Sequence, residues 1–285
     1  MLKDEIHSFT RLQALRHPSL RLSGWQDAEH YLLFRSQEYD YRDLADRVAE
    51  KRVLDWGCNN GYGAAILAKS AAVTGVDVSE LLVQEARRRF SDLPFHVIDG
   101  QRTPFPSGSF DVIVLFQVLE HLPEPVVVLE EIKRLLSPGG TLVVTTPNAT
   151  ARLDGGAPWN PFHVTEYSAS SGLQLLGAVF EVDKVEGLRA VPSVEEIEHA
   201  RWRKRRLARK VELSIRPLID EIRRAHSTDD YDVLAELHIT LRATGNDRLP
   251  SIKEIEQLEG LGDIFHYTSE NLESALSLRF TCRAP

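Results

Sequence analysis

The stretch from Val53 to Gly63, VLDWGCNNGYG, decides the fold, because a short apolar run leads directly into a glycine-rich turn. Glycine lets the backbone adopt positive φ and approach a ligand closely, and the start of the following helix attracts a negative group. The spacing differs from the GxGxxG of dinucleotide-binding folds. Asp55 would repel a pyrophosphate but attract an ammonium or sulfonium. The turn therefore predicts a nucleoside ligand that carries a cationic centre and a carboxylate.

Strand and helix patterns alternate on both sides of this turn. One strand, FDVIVLFQV, is almost continuously apolar, which is typical of a central strand buried on both faces. Repeated strand–helix–strand units with right-handed crossovers predict an α/β fold with a doubly wound, mostly parallel sheet. Ligands of such sheets bind beyond the carboxyl ends of the strands. Seven strands are expected: RVLDW, AVTGVDV, FHVID, FDVIVLFQV, TLVVTTP, VFEVDKVEGL and ALSLRFTCRA.

The same patterns divide the chain into four parts. Residues 1–50 are expected to form an N-terminal helical cap, with a helix from about Tyr41 to Glu50, that either packs on the core or covers an active site. Residues 51–189 form the ligand-binding α/β core. Residues 190–262 break the alternation and predict a helical insertion, and residues 263–285 return to the sheet as its final strand.

Composition excludes several classes of protein. The 285 residues carry 34 Lys and Arg against 42 Asp and Glu, a net charge of −8 that disfavours a general nucleic-acid binder. The two cysteines provide neither a disulfide framework nor a zinc motif. The N-terminus lacks a signal-peptide pattern, and no apolar run reaches the ~18–20 residues of a membrane span. We expect a cytoplasmic protein.

Two further acids lie at the ends of predicted strands and extend the expected ligand site. Asp77 lies 22 residues after Asp55, a distance at which an acid commonly accepts hydrogen bonds from ribose hydroxyls. Asp99 ends the third strand, where its carboxylate could accept a hydrogen bond from an adenine amino group. Acids at three successive strand ends favour a ligand site over solvated loop residues.

Residues 51 to 148 resemble the class I S-adenosylmethionine-dependent methyltransferases of the type 11 group. The resemblance rests on VLDWGCNNGYG, GVDVSE, VIDG, FDVIVLFQVLEHLPEP and LSPGGTLVVTTPN, which occur in the family's order. It implies a Rossmann-like methyltransferase fold with S-adenosyl-L-methionine as cofactor. By this resemblance, the methionine moiety would be held by Asp55, Gly57, Cys58, Asn59 and Gly61, and the ribose by Asp77 and Val78. Asp99 and Gly100 would border the adenine. Phe116 and Gln117 would line the far side of the cofactor site.

The chain departs from the family pattern at Asn59, where glycine is usual. After glycine, Asn is the residue that best tolerates left-handed backbone geometry. We therefore expect the turn, and with it cofactor binding, to be preserved.

The acceptor is less sharply indicated. PWNPFHVTEYS, residues 158–168, and ENLESALSLRFTCRAP at the end of the chain look similar to methyltransferases of glycan and glycolipid biosynthesis. That resemblance favours O-methylation of a small-molecule hydroxyl, of a sugar, oligosaccharide or glycolipid. Two alternatives stay open: C- or N-methylation of a quinone, polyketide or amine, and a non-catalytic protein that keeps the cofactor fold. The oligomeric state, including a homodimer, is also open.

A hydroxyl acceptor must lose its proton, commonly to a histidine or carboxylate. His163 with Glu166, in the predicted acceptor loop, and His121, after the fourth strand, are the candidates. Each of them could also be structural, and the structural interpretation is stronger for His121 than for His163. A divalent metal could assist a sugar hydroxyl, but no ligand spacing in the sequence supports one.

The run RWRKRRLARK, residues 201–210, holds seven basic residues. We expect a solvated helix face. A surface for an anionic acceptor is the second interpretation, and contact with nucleic acid or a membrane surface is the third, because Trp202 is the only aromatic residue in the run.

Overall fold

The computed structural model describes residues 28–153, 158, 160, 162–206, 257 and 263–285. The strands are β1 Arg52–Trp56, β2 Ala72–Asp77, β3 Phe95–Val97, β4 Phe110–Phe116, β5 Leu136–Pro147, β6 Glu181–Ala190, β7 Phe265–Thr268 and β8 Ser277–Arg283. The helices are α1 Ala28–Ala45, α2 Tyr62–Leu67, α3 Glu80–Arg89, α4 Pro125–Leu135, α5 Ala149–Leu153 and α6 Ala169–Gly177. Residues 192–206 form a further helix, α7, up to the limit of the described segment.

The eight strands form one sheet in the order β3-β2-β1-β4-β5-β8-β6-β7. The first five of these strands are parallel, and β8 is antiparallel to both of its neighbours. The predicted α/β, mostly parallel fold is confirmed. The chain leaves β1 in one direction to β2 and in the other to β4, so the ligand crevice is expected beyond the carboxyl ends of β1 and β4.

The expected count of seven strands is wrong by one. The additional strand, β7, is four residues long and pairs antiparallel with β6 at the edge of the sheet. A run this short carries too little alternation to be recognised in the sequence. Its position places Phe265 and Tyr267 beside the N-terminal helix.

Helices cover both faces of the sheet, and the alternation along β4 shows why. Ile113 and Leu115 pack into the core cluster on one face, whereas Val112, Val114 and Phe116 pack into the cluster on the other. The sheet is thereby buried on both sides, as expected of a parallel sheet with helical crossovers.

The N-terminal helix differs from its predicted bounds. It already runs from Ala28 and ends at Ala45, followed by a 3-10 turn at Asp46–Val48, instead of spanning 41–50. Tertiary packing explains the difference, because Tyr31 and Leu32 are buried against β6 and β7 while Tyr41 and Leu44 are buried on the core. The helix therefore packs against both the antiparallel strands β6 and β7 and the core of the parallel half of the sheet.

The predicted helical insertion is described only for its first part, α7, and residues 207–256 and 258–262 lie outside the described residues. In α7, Arg201 and Trp202 are buried, and Arg206 donates to the carbonyl oxygens of Ala151 and Arg152 at the end of α5. The expectation of a solvated basic face therefore holds for Arg203 and Lys204, which are exposed, and is wrong for Arg201, which is buried. Residues 207–210 lie outside the described segments.

No helix within the described part of the chain combines the length and the apolar character that crossing a bilayer requires.

Candidate active site

The turn after β1 adopts the left-handed conformations that its sequence predicts. Gly57 and Gly61 have φ of 85° and 82°. A side chain at Gly57 would also meet Val118 after β4, with its Cβ 2.4 Å from a methyl carbon. Asn59 has φ of 52°, so asparagine does take the glycine conformation, as expected. The two strand ends at the crevice are therefore in direct contact.

Gly63 serves a different purpose from the other glycines of the motif. A Cβ at this position would lie 2.2 Å from the ring of Tyr41. The absence of a side chain lets α1 lie on the turn, where the Tyr41 hydroxyl donates to Oδ1 of Asp55 at 3.1 Å. The N-terminal helix thus packs on the core and at the same time covers the start of the ligand crevice.

Asp55 is completely buried, and this burial raises its pKa to about 7, with the hydrogen bond from Tyr41 acting in the opposite direction. Its other oxygen, Oδ2, has no hydrogen-bond donor among the described residues. A buried carboxylate oxygen without a donor is unfavourable unless a ligand supplies one. The site therefore fits a ligand ammonium group, as the sequence predicts for S-adenosylmethionine.

Asp77 links the turn to the end of β2. Its Oδ2 accepts from the backbone N–H of Asn59 and its Oδ1 from that of Ser79, both at 2.9 Å. Burial raises the pKa of this carboxyl group, and these backbone hydrogen bonds oppose the rise. A carboxylate accepts about four hydrogen bonds, so Asp77 retains capacity for ribose hydroxyls. Val78, half-buried, follows directly.

Asp99 lies two residues beyond β3, which ends at Val97, so it does not end the strand as expected. It is exposed, and its Oδ1 accepts from the backbone N–H of Gln101 and of Arg102, each at 2.9 Å. These bonds shape the loop that includes Gly100, whose φ is 90°. A role at the adenine stays a prediction.

Phe116 and Gln117 end β4 on the opposite side of the crevice. The Phe116 ring packs edge-on against Tyr41, with centroids 4.9 Å apart. Gln117 has φ of 55°, an uncommon backbone conformation for this residue type that often marks functional sites. Its Nε2 donates to Oγ1 of Thr145 at 3.3 Å. Cys58, also predicted at the cofactor, is buried with its thiol toward Gly75.

The three predicted catalytic residues come together in one cluster. His163 Nδ1 lies 2.6 Å from Oε1 of Glu166, and its Nε2 lies 2.8 Å from Nδ2 of Asn160. The rings of His121 and His163 are perpendicular, with centroids 4.8 Å apart. His121 Nδ1 lies 2.7 Å from the carbonyl oxygen of Phe162, which can only accept, so His121 carries its proton on Nδ1.

Arg152 completes this cluster, with its Nε 3.3 Å from Oε2 of Glu166. Burial tends to raise the pKa of Glu166, but His163 and Arg152 outweigh it and lower the pKa. Burial lowers the pKa of His121, so that its neutral form prevails near pH 7. The cluster therefore contains a fixed carboxylate and a neutral imidazole with a lone pair on Nε2.

The structure also brings together potential metal ligands that the sequence spacing did not reveal. Ligand atoms of Glu120, His121 and His163 lie within 4.8 Å of one another. Glu120 already accepts from Thr146, and both nitrogens of His163 have hydrogen-bond partners. A metal would have to displace one of these bonds, so the residues fit a hydrogen-bonded network better than a cation site.

An open pocket, which we call the acceptor pocket, extends from Gln117. It lies between α1, α7 and the carboxyl end of β5, and Arg152 connects it to the histidine cluster. Sequence reasoning missed several residues of the crevice, the histidine cluster and the pocket, namely Tyr41, Asn160, Arg152, Asp40, Glu198 and Ser277. Most of these residues belong to no recognisable sequence motif. The spacing of Asn160, His163 and Glu166 is a signal that could have been used, because it places three polar side chains on one short loop.

The fold and the crevice define the class I, Rossmann-like methyltransferase architecture. Residues 54–144 match the methyltransferase domain family. Residues 54–144 therefore carry a methyltransferase domain, and the cofactor of the S-adenosylmethionine-dependent methyltransferases to which the chain is similar is S-adenosyl-L-methionine.

The protein named "Probable S-adenosylmethionine-dependent methyltransferase" of Mycolicibacterium smegmatis is 39% identical over 164 residues, which are 56% of this chain and 64% of that protein. A relative of similar name from Mycobacterium tuberculosis is 38% identical over 152 residues, which are 53% of this chain and 55% of that protein. This chain thus spans less than two-thirds of the length of either relative. Among solved structures, the [4+2]-cyclase SpnF shares the fold with a TM-score of 0.53 at 21% identity, over 88% of this chain and 80% of that one.

Proposed function

We propose that the protein is an S-adenosylmethionine-dependent O-methyltransferase that acts on the hydroxyl of a sugar, oligosaccharide or glycolipid. The observation that carries this proposal is that two residues link three features. Gln117, which follows β4 at the crevice, lines the acceptor pocket, and Arg152, which lines the same pocket, pairs with Glu166 of the His121–His163 cluster.

Asp55, the turn at 57–61 and Asp77 would hold the cofactor, which supplies a methyl group on a sulfonium sulfur when bound. The residues of the chain have two tasks: they align the acceptor oxygen with this methyl group, and they remove the hydroxyl proton. The residues of the pocket wall align the acceptor oxygen, because the pocket begins at Gln117 beside the crevice.

The histidine cluster removes the hydroxyl proton. We assign this step to Nε2 of His121, because the Nδ1–H of this ring is directed to the Phe162 carbonyl. His163 holds the loop through its hydrogen bonds with Glu166 and Asn160, so it acts as a positioning residue. This reverses the order of preference suggested by the sequence.

Titration of the protein with S-adenosylmethionine by calorimetry tests the cofactor site. We expect binding that Asp77→Ala weakens by at least about tenfold, since a carboxylate–hydroxyl contact and the anchor of the turn are both lost. Asp92→Ala, which alters an exposed acid in a turn after α3, is the matched control. Absence of binding, or equal binding by Asp77→Ala, would contradict the proposal.

Methyl transfer to a panel of glycosides, quinols and amines tests the acceptor class. We expect turnover on a glycoside hydroxyl, and a loss of about 10²–10⁴-fold in kcat for His121→Ala, the usual contribution of a general base. EDTA should leave the rate unchanged. Turnover only on a quinol or an amine would replace sugar O-methylation with the C- or N-methylation alternative.

A second candidate is a protein of this fold with a different chemistry. The fold is shared with a protein named as a [4+2]-cyclase, and a fold alone does not determine a reaction. Cofactor binding without methyl transfer to any member of the panel would favour this candidate. The cytoplasmic location and a homodimer stay predictions.

A further inference from the structure

We propose that the acceptor pocket selects a neutral, amphipathic acceptor, and that Glu198, Trp202 and Ser277 bind its polar end. This inference rests on the proposed function, because it specifies the acceptor of the same site. It favours an alkyl or aryl glycoside over a free sugar and over a phosphorylated or acidic glycan.

Three buried polar atoms, each on a residue that lines the pocket, lack hydrogen-bond partners within the described part of the chain. They are Oε1 of Glu198, Nε1 of Trp202 and Oγ of Ser277. Each of these residues is at least nine-tenths buried, with exposed fractions of 7%, 2% and 8%. An unpaired buried polar atom costs about 1–3 kcal/mol. The three groups are therefore best explained by a ligand that satisfies them.

The three groups differ in hydrogen-bond character. A carboxylate oxygen only accepts, an indole N–H only donates, and a serine hydroxyl can do both. Together they match a molecule with at least two polar groups, one that donates and one that accepts. Neighbouring hydroxyls of a glycoside meet this requirement, because each hydroxyl can act in either sense.

Most of the remaining wall is apolar. Leu32 and Leu33 come from α1, Leu188 from β6 and Val194 from α7, while Phe265 and Leu276 close the far side. A free sugar would leave this surface without a partner, whereas an alkyl or aryl group would bury it at about 25 cal/mol per Å². The lining therefore favours an acceptor with an apolar body.

The charges of the pocket are already balanced. Arg201 pairs with Glu198, and Arg152 pairs with Glu166, so each guanidinium in the wall has its own carboxylate. An anionic acceptor would compete with these carboxylates and leave them buried beside a like charge. The balance favours a neutral acceptor, although the basic run of α7 is close by.

Binding of three probes, hexyl β-D-glucoside, glucose and glucose 6-phosphate, tests the choice of acceptor. We expect the protein, with or without S-adenosylhomocysteine, to bind the hexyl glucoside at least about tenfold more tightly than glucose, with glucose 6-phosphate the weakest. A phosphate that binds more tightly than the hexyl glucoside, or a hexyl glucoside that binds no better than glucose, would overturn the proposal. The test is independent of cofactor binding, whose failure would refute only the proposed function.

Two variants test two of the three polar groups, those of Trp202 and Ser277. Trp202→Phe and Ser277→Ala should each weaken hexyl glucoside binding about 3- to 10-fold, the usual effect of losing one neutral hydrogen bond. Ser277→Ala should leave the unfolding midpoint unchanged or raise it, since it removes an unsatisfied buried group. Thr281→Ala, on the same strand outside the pocket, is the matched control. Unchanged binding in both pocket variants, with the fold intact, would contradict their role.

Discussion

Asn59 shows how one residue sets the shape of the cofactor turn. Its backbone is left-handed, its N–H donates to Asp77, and its side-chain Oδ1 accepts from the N–H of Asn60 at 2.7 Å. Left-handed geometry costs most residues about 1–2 kcal/mol, whereas glycine and asparagine tolerate it. The turn therefore depends on the residue type at this position.

We predict that Asn59→Gly retains S-adenosylmethionine binding, while Asn59→Ala weakens it and lowers stability by about 1 kcal/mol. Calorimetric titration and urea unfolding of both variants measure the two effects. The two substitutions remove the same side-chain amide, so each is the control for the other. Equal losses in both would show that the amide, and not the backbone conformation, is what matters.

A second prediction at the scale of one residue concerns the imidazole of His121. Its pKa is lowered because it is buried. A base with a lowered pKa stays deprotonated to more acidic pH, so kcat should be level through neutral pH and fall only below the usual histidine range of about 6.5. A pH–rate profile of the wild type and of His163→Asn measures this. A fall in kcat that begins above pH 7 in the wild type would argue against His121 as the base.

At the scale of elements, α1 packs on the turn after β1 through contacts with Tyr62 and Gly63, the first two residues of α2. The Tyr41 ring lies over Gly63, packs against Tyr62 and Phe116, and carries the hydroxyl that bonds Asp55. The helix therefore contributes to the electrostatics of the cofactor site as well as to the core.

We predict that Tyr41→Phe lowers stability by about 1–3 kcal/mol and weakens cofactor binding, because the buried Asp55 carboxylate loses a donor. Tyr62→Phe is the matched control, since this ring belongs to the same aromatic group and its hydroxyl has no hydrogen bond to Asp55. Urea unfolding and calorimetric titration report the two effects. Equal effects of the two variants would assign the loss to aromatic packing instead.

The elements also show which features a sequence can predict. The turn at 53–63 and the helix N-caps Ser79 and Ser168 are local patterns, which neighbouring residues determine. The bounds of α1 and the strand β7 depend on contacts with distant segments, which a local pattern does not contain. The acceptor pocket could not be predicted from the sequence for the same reason, because α1, α7 and β8 come together there only in the folded protein.

At the scale of the whole molecule, a buried ionic network joins α1 to the antiparallel half of the sheet. Arg279 on β8 pairs with Glu186 and Asp43, and its guanidinium lies 3.5 Å from the centre of the Tyr267 ring. Tyr267 in turn donates to Asp40, which also accepts from Thr145 at 3.0 Å. This network fixes the helix that forms one wall of the acceptor pocket.

The network makes stability depend on pH through Asp40. Burial raises the pKa of this carboxyl group to about 7, despite the hydrogen bonds from Tyr267 and Thr145. In the unfolded chain its pKa is about 3.9, so between these values the folded state binds more protons than the unfolded state. The stability due to Asp40 is therefore complete below about pH 4 and is lost as the pH rises to about 7.

Replacement of Asp40 by Asn should remove this dependence. An amide can still accept from Tyr267 and can donate to Thr145, but it carries no charge at any pH. We expect Asp40→Asn to be about 1–3 kcal/mol more stable than the wild type at pH 8 and to differ less at pH 5. Urea unfolding at the two pH values measures the change.

Asp43→Asn, one turn along the same helix, is the control with the opposite sign. It removes a carboxylate from the buried Arg279, so it should destabilise the protein at both pH values. If Asp40→Asn instead lost more stability at pH 8 than at pH 5, the carboxylate would be the favoured form in the folded protein. Asp40 would then act as a partner for the charge of Arg279, and the raised pKa would be refuted.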